Sequence, residues 1–204
     1  MTAADSPTPA RVRNPWGQGE RLRGEILAAA GALLGELGGV EGLSVRGVAR
    51  RAGIAPAGIY AHFADKTALV DAVVAHEYER LVDVLHAADG PDPVAALRAK
   101  LHAFCRYSMD NPGLYRLLFG RVSRRDAGRA GSLLEVVTVA LRACEQAGQP
   151  LRLPAERAAM VLIVGTHGRA AIQQDRSEIG RVDLVVRFAD ELLSLVFEEP
   201  IDGT

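Results

Sequence analysis

Cysteine is almost missing from this chain: Cys105 and Cys144 are the only two in 204 residues. Two thiols cannot staple a chain of this length, so the fold must rest on a hydrophobic core, and a reducing, cytoplasmic setting is expected. Aromatic residues are scarce too, at 5%. With alanine, leucine, valine and arginine dominant, helix is favoured over sheet. Long apolar runs are missing as well. Ala158 to Gly165 has eight residues and Ile26 to Gly35 ten, far short of the roughly 20 that a membrane-spanning helix needs. The first residues, MTAADSPTPARVRNPW, hold no apolar segment of the kind a secretory signal requires. No membrane partner is expected.

Catalytic signatures are equally thin. There is no GxSxG, no phosphate-binding glycine run, no HExxH and no CxxC. The histidines, at 62, 76, 86, 102 and 167, never stand four apart, the spacing that puts two ligands on one helix face. His76 and His86 could still meet others in space, but neither a metal nor a cofactor is expected, and the chain does not read as an enzyme. A thiol switch through Cys105 and Cys144 is a further alternative. Both lie on apolar stripes, where inert buried thiols are the simpler expectation.

Charge of one sign is also lacking overall, at a net −1. Its distribution is uneven. Residues 11–66 carry eight Arg/Lys against five Asp/Glu, whereas residues 67–204 carry sixteen against nineteen. A mildly basic first third points to an anionic partner at that end.

What the chain does have is helical periodicity. Residues 1–19, with three prolines and two glycines, read as a disordered tail in which Arg11 and Arg13 are either a basic arm or merely solvated. From Glu20 the residues Leu22, Ile26, Ala29, Ala30, Leu33, Leu34 and Leu37 repeat at threes and fours, and Gly38-Gly39 ends the helix. Ser44 stands at an N-cap position before Val45, Val48 and Ala49. Gly53 then interrupts, and Pro56 suits the first turn of a third helix reaching about Phe63. Asp65 caps a fourth helix bearing Leu69, Ala72, Val73, Leu81, Val84 and Leu85. Asp89-Gly90-Pro91 breaks the chain. Further amphipathic stripes follow, with stops at Asn111-Pro112 and at Gly148 and Pro150, and the last helix is expected to end near Glu198. No segment alternates with period two. The expected fold is all-α with about nine helices.

The last two helices are apolar on more than one face. One stripe of the first holds Ala158 and Leu162, and Met160, Val161 and Val164 cover much of its opposite side. The second has Val185, Ala189, Leu192, Leu193 and Val196 on one stripe, with Leu184, Phe188 and Leu195 off it. A helix with two apolar faces is buried on both, and the economical partner is a second copy. The dimer interface is therefore expected at Ala158, Leu162, Val185, Ala189, Leu192, Leu193 and Val196.

Residues 44–63 have the spacing of a helix-turn-helix, in which a first helix buttresses a second that enters the DNA major groove. At this point LSVRGVARRAGIAPAGIYAHFADKTALVDAV resembles the DNA-binding domain of TetR-type transcriptional repressors. The likeness runs from about Arg21 to Val74. It is most specific at Tyr60, His62, Phe63 and Lys66, with Val48-Ala49, Gly53 and Ile54 before them and Leu69 after. Asn111-Pro112 paired with His167-Gly168 resembles one branch of the family.

The resemblance implies a helix-turn-helix head over residues 20–66, a connecting helix over 67–88 and an effector-binding, dimerising body over 89–204. It also implies a homodimer on a pseudo-palindromic double-stranded operator, released when a small, mostly apolar effector binds the body. DNA contacts are expected from Ser44, Arg46, Ala55, Pro56, Ala57, Gly58, Tyr60, His62 and Lys66. The small residues allow close approach to the groove, and Lys66 suits a phosphate. Tyr60 is either a DNA contact or a packing residue with an exposed hydroxyl. His62 either meets phosphate or caps the helix end, and Lys66 is otherwise solvated. Arg50 and Arg51 lie further out.

One position departs from the family pattern: Ala55 stands where Ser or Thr is usual, which removes the capping hydroxyl. Candidate lining for the effector pocket is Phe104, Tyr107, Met109, Leu118, Phe119, Val137, Leu141, Met160, Ile163 and His167, any of which could instead be plain core. A small-molecule-binding helical protein without operator recognition is the alternative reading.

Overall fold

The computed structural model describes residues 18–120, 127–174 and 181–198. The tail expected at the N-terminus lies almost wholly outside them, although the first helix already begins at Gln18. Among the described residues the fold is all helical. The order is α1 (Gln18–Leu37), α2 (Val45–Arg51), α3 (Pro56–Tyr60), α4 (Lys66–Ala87), α5 (Pro93–Asp110), α6 (Pro112–Gly120), α7 (Ala127–Gln146), α8 (Ala155–Gln174) and α9 (Arg181–Val196).

The helix ends follow from side chains that satisfy free backbone groups. Ser44 Oγ accepts from Gly47 N at 3.1 Å, Asp65 from Ala68 N at 2.7 Å and Asp92 from Ala95 N at 2.8 Å. At the other end of α2, Gly53 adopts φ +69°. Gly53 N then reaches Arg50 O, and Ile54 N reaches Ala49 O. This paired closure needs a left-handed residue, which glycine supplies without strain.

Two differences from the expected boundaries have local causes. α3 stops at Tyr60 rather than near Phe63, because His62 N and Phe63 N both turn back onto Ile59 O. That tight turn carries Phe63 into the core. α9 ends at Val196 rather than Glu198, because the following backbone pairs elsewhere. Glu198 N donates to Pro150 O, and Arg152 N donates to Val196 O.

The helices enclose two hydrophobic cores. The first gathers Ile26, Leu34, Val48, Ile59, Phe63, Leu69 and Val73, together with Leu114 and Leu117 from α6. The second gathers Leu81, Phe104, Tyr115, Val137, Leu162, Leu193 and Phe197. Thus α4 and α6 each serve both. The first core reaches beyond residue 66, drawing on α4 and on a helix almost fifty positions later.

α6 lies tightly on α1. A Cβ on Gly113 would fall 2.4 Å from Gly35 O, so the two backbones meet where no side chain fits. Farther along α1, a Cβ on Gly31 would fall 2.8 Å from Oε1 of Glu77.

Candidate nucleic-acid interface and effector-responsive body

α2, the turn at Gly53 and α3 form a compact helix pair on the first core. Ile59 and Phe63 point inward and are buried. Arg23 packs over the Phe63 ring at 5.2 Å, a cation–π contact that ties α1 to the end of α3. Outward, Ala55, Pro56 and Ala57 are exposed, Gly58 is half-buried and Tyr60 is 57% exposed. The surface is narrow and shallow because its side chains are small. Ser44 and Arg46 are exposed at the start of α2. His62 and Lys66 are half-buried on the other flank, with the His62 ring 6.4 Å from that of Phe63. Every residue expected to meet DNA thus keeps some access to solvent on α2, on α3 or at the start of α4. Arg51 is engaged with Glu36 at 2.8 Å, so part of its charge is directed back at α1.

The N-terminus of α3 is bare. Ala55 takes the extended capping conformation, but no side chain accepts there. Pro56 removes one of the free donors and Gly58 N is taken by Ala55 O at 2.8 Å, which satisfies part of the first turn.

In the body, the expected pocket lining is mostly packed. Phe104, Val137 and Leu141 are fully buried, and Tyr107, Leu118 and Ile163 nearly so. Phe104, Tyr115, Phe119 and His167 form an aromatic cluster with ring centroids 4.6 to 6.2 Å apart. The Tyr115 hydroxyl and His167 Nδ1 stand 2.6 Å apart. Burial lowers the pKa of His167 and raises that of Tyr115, so both are neutral near pH 7 and suited to one short bond. Met109 and Phe119 pack at the edge of the same core.

Met160 corrects the sequence reading. It is 47% exposed on the outer face of α8 beside Val161 and Val164, because the inner face is taken by Ala158, Ala159 and Leu162.

The open space lies elsewhere. A cleft of about 910 Å³ runs between the C-terminal half of α4, the turn at 88–92, the start of α5 and the outer side of α7. None of the residues expected to line a pocket borders it.

Models of two family domains match the chain. Bacterial regulatory proteins of the TetR family match residues 26–73, and the tetracyclin repressor-like C-terminal domain matches residues 97–194. The two spans together cover well over half of the sequence. The chain belongs to the TetR family.

Nucleoid occlusion factor SlmA of Photorhabdus laumondii is 28% identical over 126 residues, 59% of this chain. The match spans 63% of that relative, less than two thirds of its length. Among solved structures, SmeT, the repressor of the Stenotrophomonas maltophilia multidrug efflux pump SmeDEF, is similar with a TM-score of 0.70 at 23% identity. That match covers 89% of this chain and 94% of SmeT. A TetR-family regulator from Pectobacterium atrosepticum gives 0.72 at 20% identity, over 92% and 100% of the two chains. At such identities the likeness is one of fold.

TetR-family regulators bind operator DNA and dimerise. In this member the stripe expected to form the interface is spent inside the protomer. Ala158, Leu162, Val185, Ala189, Leu193 and Val196 are 0–2% exposed without any partner, and only Leu192 keeps some exposure. The stripe continues the core periodicity, which is why sequence spacing singled it out. The apolar residues left outside on the same helices are Met160, Val161, Val164, Ile172, Leu184 and Leu195.

Three positions that organise the packing escaped the sequence reading. Tyr115 is the centre of the aromatic cluster, and only the long-range pairing with His167 reveals it. Glu77 is 2% exposed between the two cores and is held by Arg80 Nη1 at 2.9 and 3.1 Å. The Tyr107 hydroxyl stands 3.5 Å from both its carboxylate and its carbonyl. Gly113, in the first turn of α6, permits the close approach to α1.

Both thiols are buried, and burial is the main force pushing Cys105 up to about 12 and Cys144 up to about 11. Neither has thiolate character near pH 7, which weighs against a thiol switch. Among the described residues no group of His, Cys, Asp and Glu could hold a metal, and no helix is long and apolar enough to cross a membrane.

Proposed function

We propose that this TetR-family regulator is a homodimeric repressor that grips a pseudo-palindromic operator through α2, α3 and the start of α4, and lets go when a small molecule occupies the body. The observation that carries the reading is the exposed face of α3. Ala55, Pro56, Ala57 and Tyr60 are accessible on a helix pinned from behind by Ile59 and Phe63. Small side chains allow the helix backbone close to thymine methyls, and Tyr60 supplies the one long polar side chain on α3. Ser44, Arg46 and Lys66 flank it as phosphate contacts.

The dimer face in this reading is the outer side of α8 and α9, where Met160, Val161, Val164 and Leu195 stand exposed. α4 supplies the link. It begins at Lys66 beside the DNA face and ends at Ala87 beside the cleft. Twenty-two residues at about 1.5 Å each make a strut of roughly 33 Å. The alternative, a ligand-binding protein without operator recognition, draws its support from the missing hydroxyl at Ala55.

The test is a gel shift on the DNA upstream of the gene across a salt series. Specific binding should weaken steeply with salt as counterions are released. Lys66→Ala should lower affinity on all sequences alike and flatten the salt slope by about one. Tyr60→Ala should narrow the gap between operator and random DNA. A wild-type protein that forms no complex at low salt, or binds random DNA equally well, would sink the reading.

A further inference from the structure

The cleft beside α7 has a definite chemical character. Its wall is aliphatic, built from Val82, Val136, Val139, Ala140 and Ala143. Val139 is 54% exposed there, although the fully buried Val137 and Leu141 stand only two positions to either side. The rim is acidic. Asp89 and Asp92 come from the turn between α4 and α5, and Glu135 comes from α7. The two cationic or ionisable nitrogen groups in the lining are Lys100 and His86. The Lys100 ammonium is committed, donating to Leu85 O at 3.1 Å and to Ala88 O at 2.6 Å. It thereby caps the C-terminal end of α4, where a cation is favoured. Asp92 and Asp89 each spend one oxygen on a neighbouring backbone N–H, which leaves their second oxygens and their charges to the cleft.

An apolar wall with a net negative rim complements one kind of small molecule. We propose that this cleft binds organic cations with a bulky apolar body, the charge lying toward Asp89, Asp92 and Glu135 and the body against Val82, Val136 and Val139. A volume of about 910 Å³ is within the usual range of small-molecule sites. The proposal rests on the reading of the body as the effector-responsive part, and it moves the site from the packed interior to the α4–α7 face. Three exposed carboxylates outnumber the single Lys100 ammonium, so the rim attracts a cation, adds nothing for a neutral apolar ligand and repels an anion. The position also suits coupling, because Val82 and His86 sit on the helix whose other end carries Lys66.

The experiment is calorimetric titration of the full chain with tetraphenylphosphonium, its isosteric anion tetraphenylborate, and neutral triphenylphosphine oxide. The cation should bind at least tenfold more tightly than the neutral compound, and the anion more weakly than either. Asp92→Asn with Glu135→Gln should reduce cation affinity at least tenfold and leave the neutral compound unchanged, since asparagine still caps α5. Val139→Trp should weaken cation binding at least tenfold by covering the wall on which the apolar body lies. Equal binding of the two isosteric ions would overturn the proposal, as would full cation affinity in either variant. A circular dichroism melt of each variant separates lost binding from lost fold. Gel shifts on the same proteins report operator recognition separately, so failure of the DNA reading is distinguishable from failure of the cleft.

Discussion

The head and the body of this protein put their proposed sites in opposite places. Around the first core the side chains proposed to meet DNA stand on the outside, on a helix pair whose orientation is fixed by three local devices: the Ser44 cap, the Gly53 turn and the Phe63 anchor. Around the second core the proposed effector site depends on where packing leaves space. An aromatic cluster fills the interior, and the open cleft falls on the far side of α7. A surface that reads DNA is specified by a few neighbouring residues. A space that takes a ligand is specified by everything that fails to fill it.

The sharpest way to break this contrast is at the seam where the two regions meet. Gly113→Ala places a methyl group against Gly35 O and must push α6 off α1. A loss of about 1–3 kcal/mol is expected, as for other overpacked sites, and urea melts measure it. Gly24→Ala is the control: a Cβ there meets nothing within 4 Å, so that variant should gain about 0.5–1 kcal/mol from helix propensity alone. Equal effects in the two variants would show that the seam is not tight.

A smaller effect is expected within the head. Ala55→Ser restores an acceptor at the bare start of α3 and should add about 1 kcal/mol of stability. Operator affinity should rise with it if the hydroxyl also meets the DNA. A stability gain without an affinity gain would assign the position to folding only.

The smallest effect concerns acid. The half-buried His167 has a pKa below its ordinary value near 6.5, because burial penalises the charged ring. The unfolded chain therefore takes up the proton first as pH falls. The stability this group contributes is complete above about pH 6.5 and is lost as pH falls from there through the lowered value. Melting curves between about pH 7.5 and 5.5 should show a steeper decline for the wild type than for His167→Gln. Equal slopes would remove His167 from the account.

These expectations divide along the line between what the sequence shows and what it hides. The helices were legible because caps, glycine stops and period-3.6 stripes are local. Ser44, Gly53, Asp65 and Asn111-Pro112 each act within a few residues. The helix pair over residues 44–63 was legible for the same reason. The inner and outer faces of α8 and α9 were not told apart, since Ala158 and Met160 are both apolar and only tertiary packing decides which one is covered. The cleft was invisible because Val136 and Val139 border it whereas Val137 and Leu141, on the same helix, face the core. Glu77 and Tyr115 acquire their meaning from Tyr107 and His167, thirty and fifty-two positions away.

The sharing of α4 and α6 between the two cores bears on how this protein comes apart. Leu114 and Leu117 cannot leave the first core without disturbing Tyr115 and Leu118 in the second, since all four lie on one helix. The head therefore has no melting temperature of its own, and the described part of the chain should unfold in one cooperative step. A molecule that binds only the folded body adds RT ln(1 + [L]/Kd) to that single transition. The amide protons of α2 and α3, far from any bound molecule, then inherit the protection.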